Sequence, residues 1–103
     1  MCTDSAGTAT SDILIENDRV RVTRWSFAGR GDNTGWHRHA HDYVVVPEFD
    51  GNLEVLLPGG ETVIAPQTNG TPYFREIGGE HDVINGNDYP ISFVEIEMLD
   101  RKG

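Results

Sequence analysis

A chain of 103 residues has room for one hydrophobic core. Its 17 acidic and 8 basic side chains give a formal charge of −9, and the basic ones are scattered arginines plus Lys102. With no basic stripe to neutralise phosphates and no run approaching the ~20 apolar residues of a membrane span, nucleic acid and membranes are excluded as partners.

Residues 1–11 read as a flexible polar tail without the basic and apolar regions of a secretory leader. The tail holds the chain's single cysteine, Cys2, so no intrachain disulfide can form, and the expected compartment is the reducing cytoplasm. From residue 12 to residue 103 one domain is predicted. Strand-length runs rich in β-branched and aromatic residues fall at 12–16, 19–27, 41–46, 52–57, 61–65, 72–76, 81–85 and 91–99. Clusters such as Gly29-Arg30-Gly31, Pro58-Gly59-Gly60 and Asn85-Gly86-Asn87 supply turns between them. No amphipathic helix is evident and the connections are too short for parallel crossovers, so about eight or more short strands predict an antiparallel sandwich or barrel. In the last run Val94, Ile96 and Met98 share one face and Phe93, Glu95 and Glu97 the other, one dry and one mixed. Trp25, Phe27 and Trp36 are expected in the core, and Glu95 and Glu97 in solvent or at an interface rather than in a site.

Three of the four histidines, His37, His39 and His41, alternate just before the apolar run Val44-Val45-Val46. Residues two apart on a strand lie about 6.6 Å apart on one face, so a His-x-His pair can converge on one ion at roughly 2 Å. His81 follows Ile77-Gly78-Gly79-Glu80, a turn that can bring it beside the first two. Strict alternation puts His41 on the same face, where it would be a ligand or a substrate contact; a strand bend would turn it to solvent.

These residues resemble the two motifs of the cupin superfamily. The first appears as Gly31, five residues, His37, Arg38 and His39, with Gly51 further on; the second as Gly70, five residues, Glu76 in place of the usual proline, then Gly78, His81 and Asn85. The resemblance implies a small antiparallel jelly-roll β-barrel over residues 12–103, with His37, His39 and His81 as ligands of a divalent metal. It also exposes a departure. Where the family usually places a glutamate ligand, this chain has Tyr43 or Val44. Cupins that cleave carbon–carbon bonds or oxidise thiols are similar in using three histidines alone, so Fe(II) and dioxygenase-like chemistry are implied first, with Zn, Mn or Ni and isomerase or lyase chemistry as alternatives.

A neutral three-imidazole face leaves the ion's full charge for a small organic acid, dicarbonyl or thiol acid. Tyr43, Arg75 and His41 are the candidate catalytic residues. Arg75 can pair a substrate carboxylate, and Tyr43 or His41 can orient the substrate or carry a proton. Small cupins similar to this chain include proteins grouped with β-alanine degradation, a hint toward small acids. The competing expectation is a non-catalytic module that binds a small ligand in the barrel. Small cupins commonly pair through their sheets, so a homodimer is expected.

Overall fold

A computed structural model describes residues 7–99; Cys2, Arg101 and Lys102 lie outside the described residues. Nine strands and no helix are found among them: β1 (Thr10–Glu16), β2 (Val20–Phe27), β3 (His37–Arg38), β4 (Asp42–Pro47), β5 (Gly51–Leu56), β6 (Thr62–Gln67), β7 (Tyr73–Arg75), β8 (Glu80–Asn85) and β9 (Ile91–Met98). All pairings are antiparallel, in a five-stranded sheet β1-β2-β9-β4-β7 and a four-stranded sheet β3-β8-β5-β6. This is the jelly roll that the motifs imply.

The first strand starts earlier than the sequence suggests. Thr10 already pairs with Ser26, and the Ala9 N–H donates to the Asn33 carbonyl at 2.8 Å. Residues 8–11 are therefore tied to the barrel although three of the four side chains are polar: the backbone pairs at the sheet edge, Ala9 packs against the core and the Thr8 hydroxyl bonds to Asn33.

Alternation sets the two faces of the five-stranded sheet. Phe27, Tyr43, Val45 and Phe93 point inward and join Leu53, Val83, Ile91 and Phe49 in the core. Phe27 is 1% exposed, and Trp25 packs against this cluster. Val22, Ile96, Val44 and Phe74 form one cross-strand row on the opposite face, and Phe74 there is 51% exposed. The dry face of the last strand thus points out of the barrel and the mixed face, with Glu95 and Glu97, points in. The placement of these two glutamates in solvent is corrected accordingly.

At one end of β8 a polar network closes the barrel. Asn85 is 1% exposed; its Nδ2 donates to the carbonyls of Gly29 and Tyr89, and its Oδ1 accepts from the backbone and side-chain N–H groups of Asn87. Asn87 in turn clasps the backbone of Asn52 through both ends of its amide. Gly51, at φ 155°, lies beside this clasp: a Cβ there would stand 2.5 Å from Asn87 Oδ1.

Candidate metal centre

The histidines do not share one extended strand. His37 is on β3, directly opposite His81 on β8 in the four-stranded sheet, whereas β4, beginning at Asp42, belongs to the five-stranded sheet. His39 sits in the crossing between the sheets. Its N–H donates to the Gly79 carbonyl at 2.8 Å and its own carbonyl accepts from Gly78 N at 2.9 Å. The turn before His81 and the corner after His37 are thereby stitched together.

The three imidazoles converge as a result. The Nε2 atoms of His37 and His39 are 3.1 Å apart and those of His39 and His81 2.9 Å, with the rings edge to face. His37 Nδ1 lies 2.8 Å from the Gly35 carbonyl. A carbonyl only accepts, so Nδ1 carries the proton and Nε2 presents its lone pair to the cluster. Asp82 steadies the loop leading into His37 by accepting from Asn33 Nδ2 and Gly35 N.

Burial keeps His39 and His81 neutral. It lowers the pKa of His39 to about 3, helped by repulsion from His37 and His81. The pKa of His81 falls to about 4, again through burial first and then His37, against a smaller opposing pull from Asp82. The Glu95 carboxylate, whose Oε2 is 4.0 Å from His39 Nε2, therefore faces a neutral imidazole and forms no ion pair. Burial, then the charge of Glu97, raises its own pKa to about 7, against a hydrogen bond from Trp25 and the charge of Arg21.

Glu95 is the site residue that sequence reasoning passed over. It lines two cavities. One, of about 270 Å³, runs between the sheets and reaches His81, Tyr43 and Arg75. The other, of about 350 Å³, reaches His37, His39, Trp25 and Trp36; Trp36, expected in the core, belongs to this wall. The signal was present in the strict alternation of Glu95 and Glu97 with Phe93, but the pattern does not say which face is inner.

The remaining candidates fall in different places. Tyr43, at the position of the absent glutamate, is buried and stacks on His39 with ring centroids 3.9 Å apart and planes at 16°. Burial, then Glu95, pushes its pKa upward, so it stays a phenol. Arg75 is opposite Tyr43 in register and exposed at the first cavity, with its guanidinium over the Tyr73 ring at 4.5 Å. The structure does not bring His41 into the converging group, which consists of His37, His39 and His81. It stands in the bend before β4, because the chain changes sheets there.

A jelly roll whose motif histidines meet between its sheets is the architecture of the cupins, and the chain belongs to the cupin superfamily. It is 47% identical over 90 residues to the β-alanine degradation protein BauB of Pseudomonas aeruginosa, a match covering 87% of this chain and 93% of that one. A crystallised cupin domain of Bordetella pertussis is 45% identical with a TM-score of 0.86, over 93% of this chain and 98% of that one. The polyketide cyclase RemF of Streptomyces resistomycificus shares the fold at 20% identity, with a TM-score of 0.70 over 98% and 72% of the two chains. No protein-family model matches the chain.

Proposed function

We propose that the chain is a mononuclear metalloenzyme acting on a small organic acid or dicarbonyl metabolite, with His37, His39 and His81 holding the metal. The observation that carries this reading is the convergence of three imidazoles whose Nε2 atoms have one another, rather than a carbonyl or hydroxyl, as neighbours. Such a donor set fits Fe(II), our first choice, and also Zn, Mn or Ni. Bound there, the ion supplies Lewis acidity and, if iron, dioxygenase-like redox chemistry.

The protein's own residues do the rest. Arg75 at the cavity mouth pairs the substrate carboxylate, and the Tyr43 phenol, with its ring flat against His39, donates a hydrogen bond to the bound acid. Glu95 is placed to hold a proton beside the cluster. In this reading His41, outside the converging group, is a substrate contact or proton carrier rather than a ligand. The name of the β-alanine degradation relative supports a small acid as substrate.

Elemental analysis of protein purified without a histidine tag tests the reading. Near-stoichiometric iron that disappears in His37→Ala and His81→Ala supports it, whereas zinc, manganese or nickel redirects the chemistry to isomerase or lyase assays. No metal after anaerobic reconstitution would leave a non-catalytic ligand-binding module.

We further propose that the protein works in the cytoplasm as a homodimer without nucleic-acid or membrane partners. The uncovered row Val22, Ile96, Val44 and Phe74 supports pairing through the five-stranded sheet. Among the described residues no helix is long and apolar enough to cross a membrane. Sedimentation should show a dimer that Val44→Glu converts to a monomer; a wild-type monomer would overturn the assembly.

A further inference from the structure

The cavity beside His81 has two walls of unlike chemistry. Across the four-stranded sheet, Val55 pairs with Val83 on one side and Val63 on the other, and Leu53 pairs with Ala65. All five line the cavity, and among the described residues His81 is the one polar side chain that strands of this sheet contribute to it. The facing wall, from the five-stranded sheet, is built differently. It presents Tyr43, Tyr73, Arg75 and Glu95 along with Val45 and Phe93. Tyr43 and Arg75, paired in register, lie toward the histidine side, whereas Tyr73 turns its hydroxyl to Gln67 beyond Ala65, and between these two ends the opposite wall is aliphatic.

A three-carbon acid with its oxygens at His81, Tyr43 and Arg75 would leave that aliphatic wall bare. The volume of about 270 Å³ lies just below the range typical of drug-sized sites. At about 30 Å³ per water-sized group it accommodates roughly nine non-hydrogen atoms, the size of a 2-oxo acid of about six carbons.

Building on the metal-site reading above, we propose that the substrate is a short-chain aliphatic oxo or hydroxy acid of about six carbons. Its oxygen-bearing head lies at His81, Tyr43 and Arg75, and its unbranched tail lies against Leu53, Val55, Val63, Ala65 and Val83. Specificity then comes from the tail, since each methylene buried on such a wall strengthens binding about fourfold.

The experiment is calorimetric binding of pyruvate, 2-oxobutanoate, 2-oxopentanoate, 2-oxohexanoate and 2-oxooctanoate to Zn(II)-loaded and metal-free protein. Affinity is expected to rise about three- to fourfold per methylene to six carbons and to stop rising by eight. Val63→Ser should flatten this slope. Arg75→Gln should weaken every acid by a similar factor and leave the slope intact. Equal affinities along the series, or pyruvate as the tightest ligand, would overturn the proposal while stoichiometric, His81-dependent zinc binding left the metal site standing. A slope that persists in protein unable to bind zinc would uphold the aliphatic wall and overturn the metal site instead.

Discussion

His81 and Asn85 stand on the same inner face of β8, four residues and about 13 Å apart, yet the polar groups around them are arranged in opposite ways. Around Asn85 each amide finds a carbonyl or an N–H: Gly29 and Tyr89 accept, and Asn87 donates twice. Around His81 the nitrogens face other nitrogens, with a carboxylate of raised pKa 4.0 Å from His39. Buried polar groups in folded proteins are nearly always paired. The Asn85 end obeys that rule and holds the fold. At the His81 end the Nε2 atoms have only one another, through contacts that depend on the tautomer, so lone pairs are left over that a cation could take up.

Replacing one residue at each end separates the two roles. His81→Ala should reduce metal affinity by more than about a hundredfold, because one of three ligands is lost. Its thermal midpoint without metal should stay within a few degrees of the parent's, since the polar contact it removes is one tautomer-dependent bond to His39. Asn85→Ala should do the reverse. It leaves Gly29, Tyr89 and Asn87 without their partner in a 1% exposed position and should lower stability by about 2–4 kcal/mol. Its folded fraction should still bind one metal ion. An Asn85→Ala protein of normal stability that binds no metal would collapse the distinction.

Proton linkage gives the next largest effect, in metal-free protein. His39 and His81 have folded pKa values of about 3 and about 4, below the ordinary 6.5. Between those values the unfolded chain binds more protons, so stability falls as pH drops from about 6.5 toward 4. Glu95 works in the other direction. Its folded pKa of about 7 exceeds the ordinary 4.5, so the folded state binds more protons in that window and loses stability as pH rises from about 4.5 to 7. Glu95→Gln should remove the second effect, stabilising the protein at pH 8 by on the order of 1–3 kcal/mol and steepening its loss of stability in acid. Urea titrations at pH 5 and pH 8 measure both. A variant no more stable than the parent at pH 8 would mean that Glu95 carries no such strain.

How much of this was legible in the sequence depended on whether local pattern or long-range placement decided it. The strands and their antiparallel pairing follow from turn clusters and short connections, and only the two-residue β3 escaped notice. His37, His39 and His81 were legible because their motif spacing survives intact. The His-x-His geometry was not, since alternation assumes one straight strand and the chain instead changes sheets at Ala40–His41. Nor was the role of Glu95. Period-two patterning separates Glu95 from Val94 and Ile96 but is silent on which face is inside, and polarity misleads when the inside is a site and the outside is an apolar sheet face.

The smallest expected effect concerns Tyr43, which stacks on the histidine cluster. Its ring lies against His39 at 3.9 Å, while its hydroxyl is held as a phenol by burial and by Glu95. Tyr43→Phe keeps the ring, so zinc affinity should change by less than about threefold and stability by less than about 1 kcal/mol. Tyr43→Leu removes the stacked surface and should cost about 1–2 kcal/mol more, with His39 freer to turn away from the cluster and zinc affinity falling accordingly. If the ring positions His39, the two variants separate in metal affinity. If the hydroxyl is the group that matters for the metal, Tyr43→Phe and Tyr43→Leu should be equally impaired, and the stacking between Tyr43 and His39 would be packing alone.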